Sequence, residues 1–490
     1  MTDTTMILGG PGCGKTTRLL AILEQEMARG VPPSRIAFVA FTKQAAEEAK
    51  TRAAAKFQLD PKRDLPWFRT IHSLAYAGAG VSSDEVMGAK EWAQFGKMVG
   101  FPLSGHHDMG DEDGATLTPG DKMLGVVSYA KATRRPLEEA WRARGEELDF
   151  RATEMFAGAL HQYKLDTGKV DFDDMLSLYF ARATALPLDV AVIDEAQDLT
   201  AMQWAVVEKA FAGVSRRYIG GDDDQAIYGW AGADVDTFLA MPGAREVLPL
   251  SHRLPRHIFN LSQEIVGRIE ARIPKQYQPS PRDGLVERYR DAVDVPLEQG
   301  GSWLILARNT YQLKGLERMV RNSGMVYQYR KGSSSVKPEH YQAIRGYEQW
   351  RKGEAVPAET ARLILTALQR KAQNLNDARR YTAADCGVTP TLIWHNALSG
   401  LDPRQREYYV TCLRAGQKLN AAPTVRLDTI HGVKGGEADH VMMVTDISAR
   451  SFQSLAEEPD SEHRVLYVGV TRARQGLHLV LPQTARHYTI

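Results

Sequence analysis

Residues 9–17 read GGPGCGKTT, a Gly-x4-Gly-Lys-Thr pattern whose chemistry is phosphate binding. Glycines at this density let successive main-chain N–H groups converge on phosphate oxygens at a helix N-terminus. Gly9, Gly10, Pro11, Gly12, Cys13 and Gly14 would form the cradle, with Thr17 completing it, and Lys15 would reach the β and γ phosphates. The Thr16 hydroxyl is expected to ligate Mg²⁺. A second group stands at 189–198, DVAVIDEAQD, where Asp194 and Glu195 close an apolar run. An aspartate there can hold Mg²⁺, and a glutamate beside it can orient and deprotonate an attacking water. An isolated Asp-Glu pair is ordinarily a surface turn; the buried strand before it and the P-loop upstream argue for chemistry instead.

A third group, GDDDQAIYGWAG at 221–232, joins Asp222, Asp223 and Asp224 to Gln225, Tyr228 and Trp230. A metal site would account for the aspartates and a stacking platform for the aromatics, but neither accounts for both. Since Mg²⁺ already has Thr16 and Asp194, the three aspartates are expected to line a cleft at a strand's end as polar structure. A further acidic stretch, GHHDMGDEDG at 105–114, has the ligand spacing of neither zinc nor an EF-hand and reads as a polar loop.

The elements that must hold these groups are short apolar runs alternating with amphipathic helical stretches, the pattern of parallel α/β layers. Strands are expected at 6–8, 36–41, 190–193, 217–219, 303–307, 441–444 and 477–481. The alternation stops between about 80 and 165 and again between about 335 and 420, where helical spacing takes over. The expected fold is α/β, two lobes of parallel sheets flanked by helices, each with a mainly helical insertion. The first lobe would comprise 1–79 and 166–249, interrupted by 80–165. The second would comprise 250–334 and 421–490, interrupted by a reduced insertion at 335–420.

Composition narrows the class without naming it. With 490 residues the chain is long enough for about two to four domains. Its 43% hydrophobic and 25% charged residues are close to the globular average. No apolar run approaches the roughly 20 residues that span a bilayer, and MTDTTMILGG lacks the basic flank of a secretory signal. The three cysteines form no CxxC pair, which fits a reducing cytoplasmic setting. A formal charge of +1 does not announce a nucleic-acid binder, so any such binding has to be local. The stretches 43–69 and 351–380 are locally basic.

DEAQD together with GDDDQAIYGW resembles the UvrD/Rep/PcrA family of superfamily 1 helicases, and the likeness runs through most of the chain in order. Further motifs can be matched. AFTKQAAEEAKTR at 40–52 and RTIHSL at 69–74 are similar to the family's DNA-contacting segments. They carry Phe41, Thr42, Thr70 and His72. DFDDML at 171–176 resembles its acidic-hydrophobic segment. LSHRLP at 250–255 would open the second lobe with Arg253 as a phosphate-sensing arginine, and His252 would stack on adenine. DTIHGVKGGEADHVMMV at 428–444 supplies Thr429 and His431 toward DNA, and Gly435 and Glu437 toward the ribose. YVGVTRAR at 467–474 places Arg472 as the arginine that crosses to the γ-phosphate.

The resemblance implies that the two lobes are RecA-like P-loop NTPase lobes, and that the chain is an ATP- and Mg²⁺-dependent 3′-to-5′ DNA helicase and translocase acting on single-stranded and 3′-tailed duplex DNA. Gln225 would be its γ-phosphate sensor, and Tyr228 and Trp230 its base platform. A compact monomer of the kind found among phage-borne members is expected. The family's adenine-reading glutamine precedes its P-loop by about two dozen residues, whereas this P-loop starts at Gly9, so relaxed adenine discrimination is also expected. Two other readings stay open: a translocase that displaces proteins without unwinding, and a P-loop kinase or GTPase-like switch.

Overall fold

The computed structural model describes residues 2–103, 118–145, 147–330, 332, 334–371 and 375–490. The acidic stretch at 105–114 lies outside them. The chain divides into two compact units, Met1–Gly284 with Ala449–Thr471, and Leu285–Ser448 with Arg472–Ile490.

The first unit is built on β1 (Asp3–Leu8), β2 (Ile36–Ala40), β3 (Phe68–Thr70), β4 (Val190–Asp194), β5 (Arg216–Gly221) and β6 (Ala244–Val247). They form one sheet in the order β3-β2-β4-β5-β1-β6, with every neighbouring pair parallel. In the second unit, β7 (Leu285–Tyr289), β8 (Trp303–Ala307) and β9 (Tyr327–Tyr329) precede a short antiparallel pair, β10 (Val356–Pro357) and β11 (Arg380–Tyr381). Then come β12 (Val425–Thr429), β13 (Ala438–Val444) and β14 (Ala473–Val480). The second sheet runs β7-β14-β13-β8-β12-β9, again with parallel pairs throughout. This is the α/β class expected, two parallel sheets flanked by helices.

The central strands explain themselves. IAFVA, VAVID and WLILA are buried along their whole length, as strands covered on both faces must be. All seven expected strands form, several longer than their apolar runs. The strands not anticipated are short or chemically mixed. One is β12, VRLDT, whose Arg426 and Asp428 pair at 2.5 Å.

The two insertions differ in kind. Residues 80–165 include helices Ala89–Val99, Pro119–Thr133, Leu137–Arg144 and Phe150–Thr167. Trp92, Phe95, Met123, Leu124, Phe156 and Leu160 give them a core of their own. Between 335 and 420, helices Pro338–Arg351, Ala358–Ala367, Trp394–Ala397 and Pro403–Arg414 accompany the β10–β11 pair. Their Tyr347, Trp350 and Tyr409 share one core with Trp303, Ile305, Val425 and Met442 of the second sheet.

Two segments group differently from expectation. Residues 250–284 and 449–471 group with the first unit. Helix Arg256–Val266 packs on helix Pro459–Val470, and the segment after the first, through Arg272 and Lys275, and the second, through Arg464, are tied to the end of β5 by the ion cluster described below. All three cysteines are buried. No helix among the described residues is long and apolar enough to cross a membrane.

Truncating a buried aromatic in either insertion is expected to cost about 3–5 kcal/mol. In Trp350→Ala the loss should move a single urea transition shared with the second sheet. Phe95→Ala should split off an earlier transition confined to the insertion, seen by circular dichroism while the first sheet stays folded.

Candidate active site

In the first unit the candidate residues stand just beyond the carboxyl ends of parallel strands, the edge where ligands bind in such sheets. The P-loop follows β1, Phe41 and Thr42 follow β2, and Thr70 ends β3. Asp194 ends β4, and the acidic run follows β5. Register aligns these ends: Ala40 lies beside both Thr70 and Asp194, and Leu8 lies beside Gly221.

The P-loop turns tightly, the Cys13 N–H donating to the Gly10 carbonyl at 3.2 Å. Gly12 and Gly14 take the left-handed conformation, at φ 73° and 80°, which a side chain would strain. Gly14 then caps helix Lys15–Ala28. Lys15 is buried and donates to the Gly9 carbonyl at 2.8 Å. Thr17 is exposed. The Cys13 thiol is pushed up to about 11, chiefly by burial.

Thr16 Oγ1 donates to Asp194 Oδ2 at 2.8 Å. These are two adjacent hard oxygens of the kind Mg²⁺ accepts. Burial, reinforced by the neighbouring Glu195, raises Asp194 to about 6. Glu195 itself sits at φ 53° and accepts from Gln197 Nε2 at 2.6 Å. Gln197 Oε1 in turn accepts the Asp222 main-chain N–H at 3.0 Å.

The acidic run departs from expectation: the three side chains do not line a cleft. Asp222 and Asp223 are 0% exposed and Asp224 is 1% exposed. Three desolvated carboxylates need buried cations, and Lys275 Nζ stands 3.1, 2.5 and 2.9 Å from Asp222, Asp223 and Asp224. Arg272 pairs with both oxygens of Asp224, at 2.8 and 2.7 Å. Arg464 donates to the Asp223 and Ala271 carbonyls. The far oxygen of Asp222 accepts from Gln225 Nε2 at 2.6 Å. Among the described residues no group of three or more His, Cys, Asp or Glu side chains could hold a metal ion.

The 250–255 segment also moves from its expected place. Ser251 Oγ donates to the Pro11 carbonyl at 2.7 Å and the His252 N–H to the Gly12 carbonyl at 3.0 Å. Arg253 therefore stands beside the P-loop, within the first unit. A Cβ at Gly12 would lie 2.3 Å from that of Arg253, and one at Gly10 would lie 2.2 Å from the Tyr277 ring. Tyr277 OH lies 2.9 Å from Tyr467 OH.

Phe41 and Tyr228 stack at 5.4 Å and 22°, and Trp230 meets Tyr228 edge-on at 6.1 Å. The three partly exposed aromatics form one cluster. Thr42 and Thr70 prove to be helix N-caps, accepting from the N–H groups of Ala45 and Ser73 at 3.2 Å each. Burial lowers the pKa of His72, which favours the neutral ring.

Arg472 belongs to the second unit, where Gly435, Glu437, Thr429 and His431 also lie. Arg472 is buried, and its guanidinium donates to the Gly436 carbonyl at 3.3 Å. Glu437 pairs with Arg474 at 3.3 Å, and Gly435 sits at φ 83°. Thr429 and His431 are buried, Thr429 accepting from the Gly432 N–H at 3.1 Å.

Sequence reasoning missed Lys275, Arg272, Tyr277, Ser251 and Gln197. Gln197 stood inside DEAQD. For Lys275 the available signal was indirect, since three successive acids after an apolar strand require a cation from elsewhere.

Two family models match the chain, an AAA domain over residues 1–231 and the UvrD-like helicase C-terminal domain over residues 424–480. Together they cover more than half of it. The ATP-dependent DNA helicase PcrA of Leuconostoc citreum is 28% identical over 295 residues, 55% of this chain and 38% of that protein. The ATP-dependent DNA helicase UvrD2 of Mycobacterium tuberculosis is 25% identical over 544 aligned residues, 97% of this chain and 76% of that protein. The chain spans about two fifths of the length of the PcrA relatives it matches, 38% and 40% for two of them. A solved structure of the PRRSV helicase superposes with a TM-score of 0.36 at 10% identity over 98% of this chain, too loosely to add to the assignment. On its motifs, its two parallel sheets and these matches, the chain belongs to the UvrD/PcrA-like superfamily 1 helicases.

Proposed function

We propose that this chain is a cytoplasmic ATP-driven motor that moves 3′ to 5′ along single-stranded DNA and unwinds 3′-tailed duplexes. One observation carries the reading. A single sheet edge carries the P-loop, the Thr16–Asp194 contact, Glu195 and Gln225, and also a cluster of three aromatics, Tyr228 and Trp230 a few residues past Gln225 and Phe41 just past β2.

In this reading the P-loop N–H groups and Lys15 hold the β and γ phosphates, while Thr16 and Asp194 hold Mg²⁺. Mg²⁺, when bound, neutralises charge on the phosphoryl oxygens. Glu195 orients and deprotonates the attacking water, its carboxylate fixed by Gln197. Gln225 senses the γ-phosphate. Arg253 and Arg472 stabilise charge that develops during transfer, a role worth about 10³–10⁵ in rate among P-loop enzymes. His252 faces adenine, and Gly435 and Glu437 the ribose.

Phe41, Tyr228 and Trp230 stack bases, with Thr42, Thr70, His72, Thr429 and His431 along the strand. Each base–aromatic stack is worth about 1–3 kcal/mol. Opening a DNA step costs about 1.4 kcal/mol on average, so the two are comparable.

The testing experiment measures ATP turnover with and without single-stranded DNA, then unwinding of duplexes with 3′ or 5′ tails. Strong stimulation and a 3′ preference are expected. Absence of stimulation would return the kinase or GTPase-like alternative. Translocation without unwinding would favour a protein-displacing motor.

Glu195→Gln should bind ATP at near-parental affinity in equilibrium titration while hydrolysis falls by about 10²-fold or more. Turnover at the parental rate would remove Glu195 as the base. Trp230→Ala should weaken single-strand binding by about 1–3 kcal/mol and reduce DNA-stimulated turnover more than basal turnover. Equal loss of both rates would instead mark the tryptophan as structural.

A further inference from the structure

An ionised carboxylate only accepts hydrogen bonds, whereas a protonated one also donates. Asp222 as a carboxylate therefore selects one of the two flips of the Gln225 amide, the one that turns Nε2 toward it. The same residue's main-chain N–H holds Gln197, which holds Glu195. Asp222 is thus one step from the sensor and two from the base, and it has no exposed surface. Burial alone would drive it toward the neutral acid. Lys275, with no exposed side-chain surface, is the cation that opposes this at 3.1 Å.

We propose that Lys275 is a positioning residue for ATP hydrolysis: by holding Asp222 as a carboxylate it fixes the Gln225 amide, and through Asp222 and Gln197 it helps to fix Glu195. Neither Lys275 nor Asp222 touches the reacting atoms in this scheme. The inference rests on the hydrolytic reading above and adds the device that keeps sensor and base in register.

The ionisable groups around Asp222 agree with this. Burial works against its charged form. Lys275 and, from the P-loop, Lys15 more than offset it, leaving Asp222 below the usual carboxylate range. Asp223 is pushed up, first by burial and then by Asp224 and Asp222, against the pull of Lys275. Tyr277, Tyr467 and Cys13, the other titratable groups that feel Asp222, are all raised chiefly by burial and remain neutral. Arg272 is engaged by Asp224.

The test uses the full chain and steady-state ATP hydrolysis. Lys275→Met is expected to lower kcat by about 10²-fold, the scale of a remote misplacement, with KM for ATP within about threefold. Its kcat should then climb with pH where the parent is flat, because Asp222 without its counter-charge ionises later and only the carboxylate holds the amide.

Asp222→Asn keeps the Lys275 contacts to Asp223 and Asp224. It should show the same loss of kcat without the pH recovery, and it decides the matter if Lys275→Met does not fold. Parental kcat in folded Lys275→Met or in Asp222→Asn overturns the proposal. So does a loss in Lys275→Met shared between kcat and KM with no pH dependence, which marks a purely structural lysine. Gln225→Ala separates the two levels. Parental turnover there defeats the sensor role itself. Lost turnover there beside parental turnover in the other two variants defeats the positioning role alone.

Discussion

The first unit holds one lysine whose side chain is closed to solvent among three carboxylates. Taking an ammonium and three carboxylates out of solvent costs several kcal/mol per ion before any pairing repays it. It is tolerable only because every acid has a partner. Asp222 has Gln225 as well as Lys275, Asp223 has the Ile273 N–H at 2.8 Å, and Asp224 has Arg272. The cluster joins three stretches remote in sequence: the end of β5, the segment around 272–277, and helix Pro459–Val470 through Arg464. Hydrophobic residues could fill such a space with less penalty, but they would not fix the direction of an amide. What the ions supply is orientation.

That orientation matters because the sheet delivers its groups only coarsely. Parallel strands place their carboxyl ends in a row, which brings Lys15, Thr16, Asp194 and the acidic run near one another. It does not set which way a carboxylate or amide faces. The second layer does so: Gln197 on Glu195, Asp222 on Gln225, Ser251 and the His252 main chain on the P-loop carbonyls. The aromatics at Phe41, Tyr228 and Trp230 continue the same strand ends, so a shift in the loop after β5 reaches them within a few residues.

Much of this was legible in the chain alone. The P-loop, the Asp-Glu pair and the apolar strands declare themselves because each depends on neighbours in sequence, and the Thr16–Asp194 contact follows from two such motifs. Lys275 was not legible, since an isolated lysine amid IPKQYQ carries no local signal and its meaning comes from acids fifty residues earlier. The placement of 250–284 failed for a related reason. A motif marks a segment's chemistry, whereas the unit it joins is decided by packing, here between helices Arg256–Val266 and Pro459–Val470. Thr42 and Thr70 show a subtler limit. Their hydroxyls cap helices, a structural duty that a resemblance to DNA-contacting segments does not reveal.

The three buried cysteines have a practical consequence. Cys13 lies in the P-loop with its thiol held at about 11, and Cys386 and Cys412 are also raised by burial. Thiol reagents act on exposed thiolates, so the three buried natural thiols are expected to react slowly with maleimides at neutral pH. A single cysteine introduced at an exposed position would be a unique attachment point for a dye, without first removing the natural ones. Movement of either unit could then be followed by fluorescence in a molecule whose P-loop is otherwise untouched.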